Sequence, residues 1–418
     1  MTDVVPLRRN ARFQLLWIGS AVSELGSELT RLAMPLLVLA LTGSPGLAGV
    51  VAGARTVASL VVQMPAGVWV DRWDRRRTLI TAQGLQAVVS ALLTVLVVSG
   101  DVQVWQFVAL AVLDGLCAAF IVPVQDTAIR GVVPPGQLHS AYAQEEARTH
   151  AAGLIGPPLG GLLYGLGRAV PFVVDTVTFL AATLFYALAK VPRRPADEPR
   201  DGGEERRPIR RGMRREAAEA VAWLLRRPGL REVTAAVMVL NLLGGAFLIP
   251  LIVLVGERGG DARVTGTVLA GLGVGGLAGA LLSGRISRLL PPGKLLVAVV
   301  AVFGAALAAT ALPWGAWWPM IPLVFITLST PALNVVLNVV IARMVPEAML
   351  GRMGAVLNTG GTALKPLGPV LGGAMAAALG GAAALVVLGG LLGLTAAVAA
   401  LSPHVRRFTG EPSPASPA

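Results

Sequence analysis

The chain is poor in cysteine, histidine and charge. One cysteine, Cys117, and three histidines, His139, His150 and His404, are spread over 418 residues. A lone cysteine inside an apolar run rules out a disulfide framework within the chain. The histidines lack ligand spacing, so no metal site is expected. Charged residues make up 14% of the chain, against about 25% in soluble domains. There is no phosphate-cradling glycine loop and no nucleophile constellation, so an enzyme is not expected and no cofactor is implied. Apolar residues fill the space instead. They account for 55% of the sequence, and mean hydropathy is +0.71. Apolar runs of about twenty residues recur, each long enough to cross ~30 Å of hydrocarbon as a helix. The expected class is an all-α polytopic membrane protein.

Twelve spans can be marked, at 13–41, 46–70, 78–98, 104–126, 141–166, 170–190, 232–255, 264–284, 294–313, 317–340, 353–378 and 381–402. The first follows a few arginines, as a signal peptide would. It is longer than an h-region of about 7–15 residues and contains Glu24 and Glu28, so it reads as a retained span. Net charge is +12, but the basic residues sit in loops, which argues for membrane orientation rather than nucleic acid. With the N-terminus inside, 29 of the 35 Lys and Arg fall in inner loops or at their edges, and only Arg168, Arg258 and Arg263 fall outside. Both termini are therefore expected on the cytoplasmic side of the plasma membrane.

The expected organisation is a six-helix bundle over 1–190, a linker over 191–231, a second six-helix bundle over 232–402 and a cytoplasmic tail over 403–418. The linker begins as a charged, Pro- and Gly-rich stretch. It continues as IRRGMRREAAEAVAWLLRRPGL, where Met213, Ala217, Ala220, Val221, Leu224 and Leu225 recur at helical spacing opposite arginines. That pattern fits an amphipathic helix on an anionic lipid surface, with a calmodulin-target-like segment as the alternative.

The halves repeat. At a shift of 212 residues, IRGVVPPGQL from Ile129 meets IARMVPEAML from Ile341, and GPPLGG from Gly156 meets GPVLGG from Gly368 in the same register. The fifth and eleventh spans are then equivalents, and the halves are parallel repeats.

These features resemble the major facilitator superfamily over essentially the whole chain. Its loop signature between the second and third helices is matched by Gly67, Asp71, Arg72, Arg75 and Arg76 in GVWVDRWDRRR, with Asp74 where the family usually has glycine. The resemblance implies that Asp71 caps or contacts the start of the eleventh helix and that Arg75 pairs with an acid at the inner end of the fourth, for which Asp126 is placed. Such contacts would form an inner gate; the alternative is a topology signal alone. GALLSGRISR from Gly279 keeps the Gly and Arg but lacks the Asp, so the gate is expected to be asymmetric. The fifth helix resembles the family's antiporter motif through Gly156, Pro157, Gly160 and Gly161. Gly368, Pro369 and Gly372 repeat it in the eleventh, where close packing is the equal alternative. SELGSELTRLAMPLLVLALTGSPGLAGVV from Ser23, PFVVDTVTFLAA and LLRRPGLR are similar to the branch with macrolide-efflux and siderophore-export proteins. Ser27 stands where that branch usually has Asp.

Charges inside spans are costly and so face water, a partner or both. Glu24, Glu28 and Arg31 share one face of the first helix, with Arg55 in the second, Asp114 in the fourth and Lys365 in the eleventh. In the family fold the first and fourth helices line a cavity, so Glu24, Glu28 and Asp114 are candidates for a proton or a cationic substrate. Arg31 and Arg55 would pair with them or hold an anionic group; structural ion pairing is the rival explanation. Lys365 either faces the cavity or pairs across the interface. Asn241, Asn334 and Asn338 are candidate cavity donors or helix contacts. Asp175 reads as structural, at a water-exposed outer end. The expected function is proton-coupled export of a small amphipathic compound by a monomer in the bilayer, drawing on the proton gradient. An importer or facilitator of the same fold, or a non-transporting membrane sensor, are the alternatives.

Overall fold

The computed structural model describes residues 6–70, 73–100, 103–189, 191, 222, 224–344, 363–406 and 408. Asp71, Arg72 and most of the linker with its amphipathic segment lie outside them, as does 345–362. The described residues are helical with no strand. The first half comprises α1 (Ala11–Thr42), α2 (Pro45–Val70), α3 (Arg75–Ser99), α4 (Val104–Val132), α5 (Leu138–Leu166) and α6 (Val170–Leu188). The second comprises α7 (Pro228–Ala246), α8 (Leu248–Glu257), α9 (Ala262–Leu289), α10 (Pro292–Thr310), α11 (Met320–Leu328), α12 (Thr330–Met344), α13 (Leu367–Leu379) and α14 (Gly381–Leu401), followed by a short turn, α15 (Pro403–Arg406).

Two rods are broken, and prolines explain both breaks. A helical proline clashes with the carbonyl four residues earlier. Pro250 stands four residues after Ala246, where α7 ends, and Pro331 stands four after Thr327, beside the end of α11. With α7–α8 and α11–α12 each counted as one rod and the short α15 left aside, there are twelve among the described residues. Ten are long and apolar enough to span a membrane. Of the other two, α5 carries Glu145, Glu146 and Arg148 in its first half, and α13 has only 13 residues among those described.

Helix ends follow local chemistry. The Asn10 side chain accepts from Phe13 N at 3.2 Å to cap α1, and Asp261 caps α9 through Val264 N at 2.9 Å. Asp74, the departure from the loop signature, caps α3 by accepting from Arg77 N at 3.0 Å. The described glycines with positive φ are Gly43, Gly100, Gly259, Gly315 and Gly380, each in a turn at one end of the bundle. That end is called the far end here. The opposite, basic end carries Arg75, Arg76, Arg77, Arg130, Arg285 and Arg288.

The surface pattern is that of a protein in lipid. On α3, Leu85, Val88, Leu92 and Val95 are exposed, while Gln83, Gln86 and Ser90 are buried. Polar side chains point inward because only there can they find partners. Packing repeats between the halves. α1 lies on α5 and α6, and the α7–α8 rod lies on α13 and α14. α2 lies on α4, and α9 lies on α11 and α12. The halves meet through α5 on α9 and α2 on α13.

Candidate functional site

The four helices that join the halves are drawn together by glycine. On α5, a Cβ at Gly156 would lie 2.3 Å from Glu28 Cβ, and one at Gly160 would lie 2.9 Å from the Leu29 carbonyl. On α13, a Cβ at Gly368 would meet Leu242 O at 2.7 Å, and one at Gly372 would meet Ala246 O at 1.9 Å. The paired motifs thus seat α5 on α1 and α13 on α7 in equivalent ways. The next glycine of each motif makes the crossing between halves. Gly161 faces Ala262 and Gly266, and Gly373 faces Pro45 and Gly49. Pro369 also packs here, its carbonyl 2.5 Å from a Cβ on Gly49, as the Pro157 carbonyl is from one on Gly266. These crossings lie at the far end, where Ala33, Leu37, Ala48 and Val51 share one apolar cluster with Ile249 and Ala376.

Below this closure lies a cavity of about 1030 Å³ between the halves. Its lining descends α5 to Glu146 and His150 and α9 to Ala280 and Ser283, toward the basic end. The Glu146 side chain is 75% exposed, so the cavity communicates with solvent on that side. Much of the wall is apolar, including Met34, Leu93, Phe179, Phe247 and Leu248.

Charge is concentrated on the first half's wall. Arg55 Nε donates to Asp114 Oδ2 at 2.5 Å, and Gln86 Nε2 donates to Asp114 Oδ1 at 2.8 Å. Glu28 and Arg31 form an ion pair one turn apart on α1. The Arg31 side chain is 60% exposed, and that of Arg55 40%. The second half offers Thr327, Thr330, Asn334 and Lys365. Both threonines donate to backbone carbonyls, Leu272 O at 2.6 Å and Ile326 O at 3.0 Å. The charge acting on Lys365 is that of Arg31, a like charge from the other half. Among the described residues Lys365 has no ion pair, so the expected alternative of an acid across the interface is not what the structure contains.

Glu24 stands apart from this wall. It is half-buried, does not line the cavity, and lies in the field of Arg148. Arg148 and Asp175 are more buried than the sequence implies. Arg148 counts as a loop-edge arginine in the sequence, yet it is 8% exposed and pairs with Glu145 at 2.7 Å. Asp175 was expected in water and is 2% exposed. Its segment of α6 folds inward against α1 and α3, and its Oδ2 is in hydrogen-bond contact with Ser90 Oγ at 3.0 Å. A helical wheel of α3 carried a signal for this, since Gln83, Gln86 and Ser90 share one face and need partners.

At the basic end, Gly67 lies in α2, while Asp71 and Arg72 lie outside the described residues. Arg76 Nη2 donates to Ala187 O at 2.7 Å, near the end of α6. Arg75 does not pair with Asp126 among the described residues. Its Nη1 would be 3.2 Å from a Cβ on Gly131, five residues on, or about 7.5 Å further along α4. The charge acting on Asp126 is that of Arg130, one turn away. Asn338 has no described side chain.

Comparison with known proteins agrees with this architecture. The family model described as Major Facilitator Superfamily matches residues 16–364. The chain is 26% identical over 410 residues to the "Multidrug efflux pump Tap" of Mycolicibacterium fortuitum, covering 94% of this chain and 96% of that protein. It is 24% identical over 190 residues to "Macrolide efflux protein A" of Streptococcus pyogenes, covering 44% and 45%. Among solved structures, a bacterial homologue of the human lysosomal transporter Spinster, inward-facing and unoccupied, superposes with a TM-score of 0.74 at 16% identity, over 99% of this chain and 100% of that one.

Proposed function

The chain belongs to the Major Facilitator Superfamily, a family of transporters rather than enzymes, and on that premise we propose that it exports small amphipathic compounds in exchange for protons. The observation that carries this reading is the cavity between the halves, about 1030 Å³, sealed at the far end and reaching solvent at the basic end. It has the upper size of drug-sized ligand sites, which run to ~1,000 Å³. Its apolar wall suits a hydrocarbon or aromatic body, and Arg31, Glu28 and Lys365 suit a polar or charged end. Relatives whose names state efflux of drugs and macrolides support the direction. The basic end is then cytoplasmic, so the state seen here loads from the cytoplasm of a plasma-membrane protein acting as a monomer in the bilayer.

Alternating access follows from how the halves meet. Substrate enters from the basic end. The α2–α13 and α5–α9 crossings then part while the basic end closes, with Gly67, Asp71, Arg72, Arg75 and Arg76 acting there as an inner gate. The proton gradient supplies the free energy, and no bound cofactor takes part. Everted membrane vesicles test this with ethidium, a fluorescent amphipathic cation, and a neutral macrolide as probes. Energised vesicles holding the protein should accumulate at least one probe, and an uncoupler should abolish the accumulation. Accumulation that survives the uncoupler, or net movement out of everted vesicles, overturns the proposal.

A further inference from the structure

Three carboxylates line the first half's part of the cavity deep within the bundle, and two of them have cations. Glu28 is held by Arg31, and Asp114 by Arg55 and Gln86. Asp175 has none in contact, although it is the most buried of the three at 2% exposure. Burying a carboxylate without a counter-charge is costly enough that such a group takes up a proton instead.

The hydrogen bonds around Asp175 fit the acid form. Ser90 Oγ lies 3.0 Å from Asp175 Oδ2 and 3.1 Å from the carbonyl of Phe172. A serine has one proton to donate. If Asp175 is ionised, two acceptors compete for that proton. If Asp175 is protonated, its Oδ2–H donates to Ser90 Oγ, Ser90 O–H donates to Phe172 O, and both contacts are satisfied. Its Oδ1 is buried and makes no hydrogen bond of normal length, the neighbouring Thr30 hydroxyl being without a partner too, and a neutral carbonyl oxygen tolerates this better than a carboxylate does. The surroundings supply no other counter-charge. Arg55 of α2 and Asp114 of α4 act on Asp175 but are bound to each other. From α1 and α3 the polar neighbours are Thr30 and Ser90, and on α5 the cavity groups Glu146 and His150 pair at 3.1 Å.

Resting on the proton-coupled reading above, we propose that Asp175 is the proton-binding site of the transport cycle, occluded at the closed apex of the cavity. It stands five residues from the start of α6, about 7.5 Å along the helix from the far end. Opening of the far end would expose it to the outer solution, where it gains its proton. In the state seen here it faces the cavity. The Oδ2–H bond then breaks, the proton leaves through cavity water to the basic end, and the Ser90 hydroxyl turns to donate to the carboxylate. Arg55 and Asp114 act on this site and line the same cavity as Arg31 and Lys365, and would couple the two.

Infrared difference spectroscopy of the purified full-length protein tests the site without a substrate. The carboxylic-acid C=O band should titrate with pH in the wild type. It should vanish in Asp175→Asn and persist in Asp114→Asn. A titrating band unchanged in Asp175→Asn overturns the assignment. A band discharged by sodium but not by potassium, at fixed pH, makes the site one for a metal cation and overturns it as well. Should Asp175→Asn fail to elute as a monodisperse species, Asp175→Glu and Ser90→Ala should each shift the band without abolishing it; no shift in either overturns the assignment. In energised everted vesicles, Asp175→Asn should lower uphill accumulation by at least about tenfold while leaving downhill flux. Wild-type coupling with equal coupling in Asp175→Asn removes Asp175 and spares the functional reading. An uncoupled wild type whose band still depends on Asp175 removes proton coupling and spares the site.

Discussion

Gly161 and Gly266 touch backbone to backbone across the two halves: a Cβ on Gly161 would lie 3.0 Å from Gly266 Cα and 2.2 Å from the carbonyl of Ala262. Gly373 and Gly49 make the same contact on the other side. Because the obstacle is backbone, no rotamer change relieves it. Gly161→Ala should therefore act on the closed far end by overpacking, which costs about 1–3 kcal/mol. The open far end makes no such contact. The ratio of molecules with the far end closed to those with it open should fall by roughly tenfold, since about 1.4 kcal/mol is a factor of ten in an equilibrium constant. Distances between spin labels on Ser44 and Gly380 measure this, and an unchanged distribution would show that the crossing does not govern closure.

The Arg55–Asp114 pair should separate function from stability. Arg55 is 40% exposed on its side chain to the cavity, so water offsets part of what Asp114 supplies and the pair's net contribution to stability is small. Asp114→Asn should leave thermal stability nearly unchanged and reduce uphill transport by about tenfold or more. Arg55→Leu with Asp114→Leu should likewise leave stability nearly unchanged and should not recover transport. A large fall in melting temperature in Asp114→Asn, reversed in the double variant, would make the pair structural.

Glu145 and Arg148 should behave in the opposite way. Arg148 is buried and Glu145 largely so, with side-chain exposures of 7% and 16%, and Arg148 Nε and Nη1 have no hydrogen-bond partner. Removing one member of a buried pair leaves an uncompensated charge and costs about 3–5 kcal/mol. Glu145→Gln alone should lower stability by that order, and Glu145→Gln with Arg148→Gln by clearly less. Denaturation in mild detergent measures the difference, and equal losses in the two would show that Arg148 draws its stability from Glu24 or from packing.

The span pattern was legible in the sequence because hydrocarbon imposes one rule on every helix: about twenty apolar residues. The repeat was legible because Gly156 and Gly368 do the same mechanical work, and backbone contact leaves glycine little alternative. Arg55 and Asp114 stood out because charges in apolar runs are rare. What sequence could not convey was rotation about each helix axis. Asp175 lies near one end of α6, and only its packing against Ser90 makes it buried rather than wet. Glu24 and Glu28 are one turn apart, yet Glu28 lines the cavity and Glu24 does not. The expected Arg75–Asp126 pair missed by about a turn and a half, because loop spacing does not fix how far along α4 the Arg75 side chain reaches.

Orientation rests on the arginine bias and is open to direct measurement. In a Cys117→Ala background, Ser44→Cys places a thiol in a far-end turn and His404→Cys places one at the basic end. A membrane-impermeant maleimide added to intact cells should label the first and spare the second. Everted vesicles should reverse the pattern. The arginine imbalance is large enough that the chain should insert one way only, since loop Lys and Arg set orientation. The same labels report the cycle: an inhibitor or variant that holds the far end closed should leave Ser44→Cys reactive in its turn while protecting a thiol at Ala48, which is buried in the closed cluster. Labelling of both ends from one side would refute the assigned topology and, with it, the cytoplasmic loading on which the export reading depends.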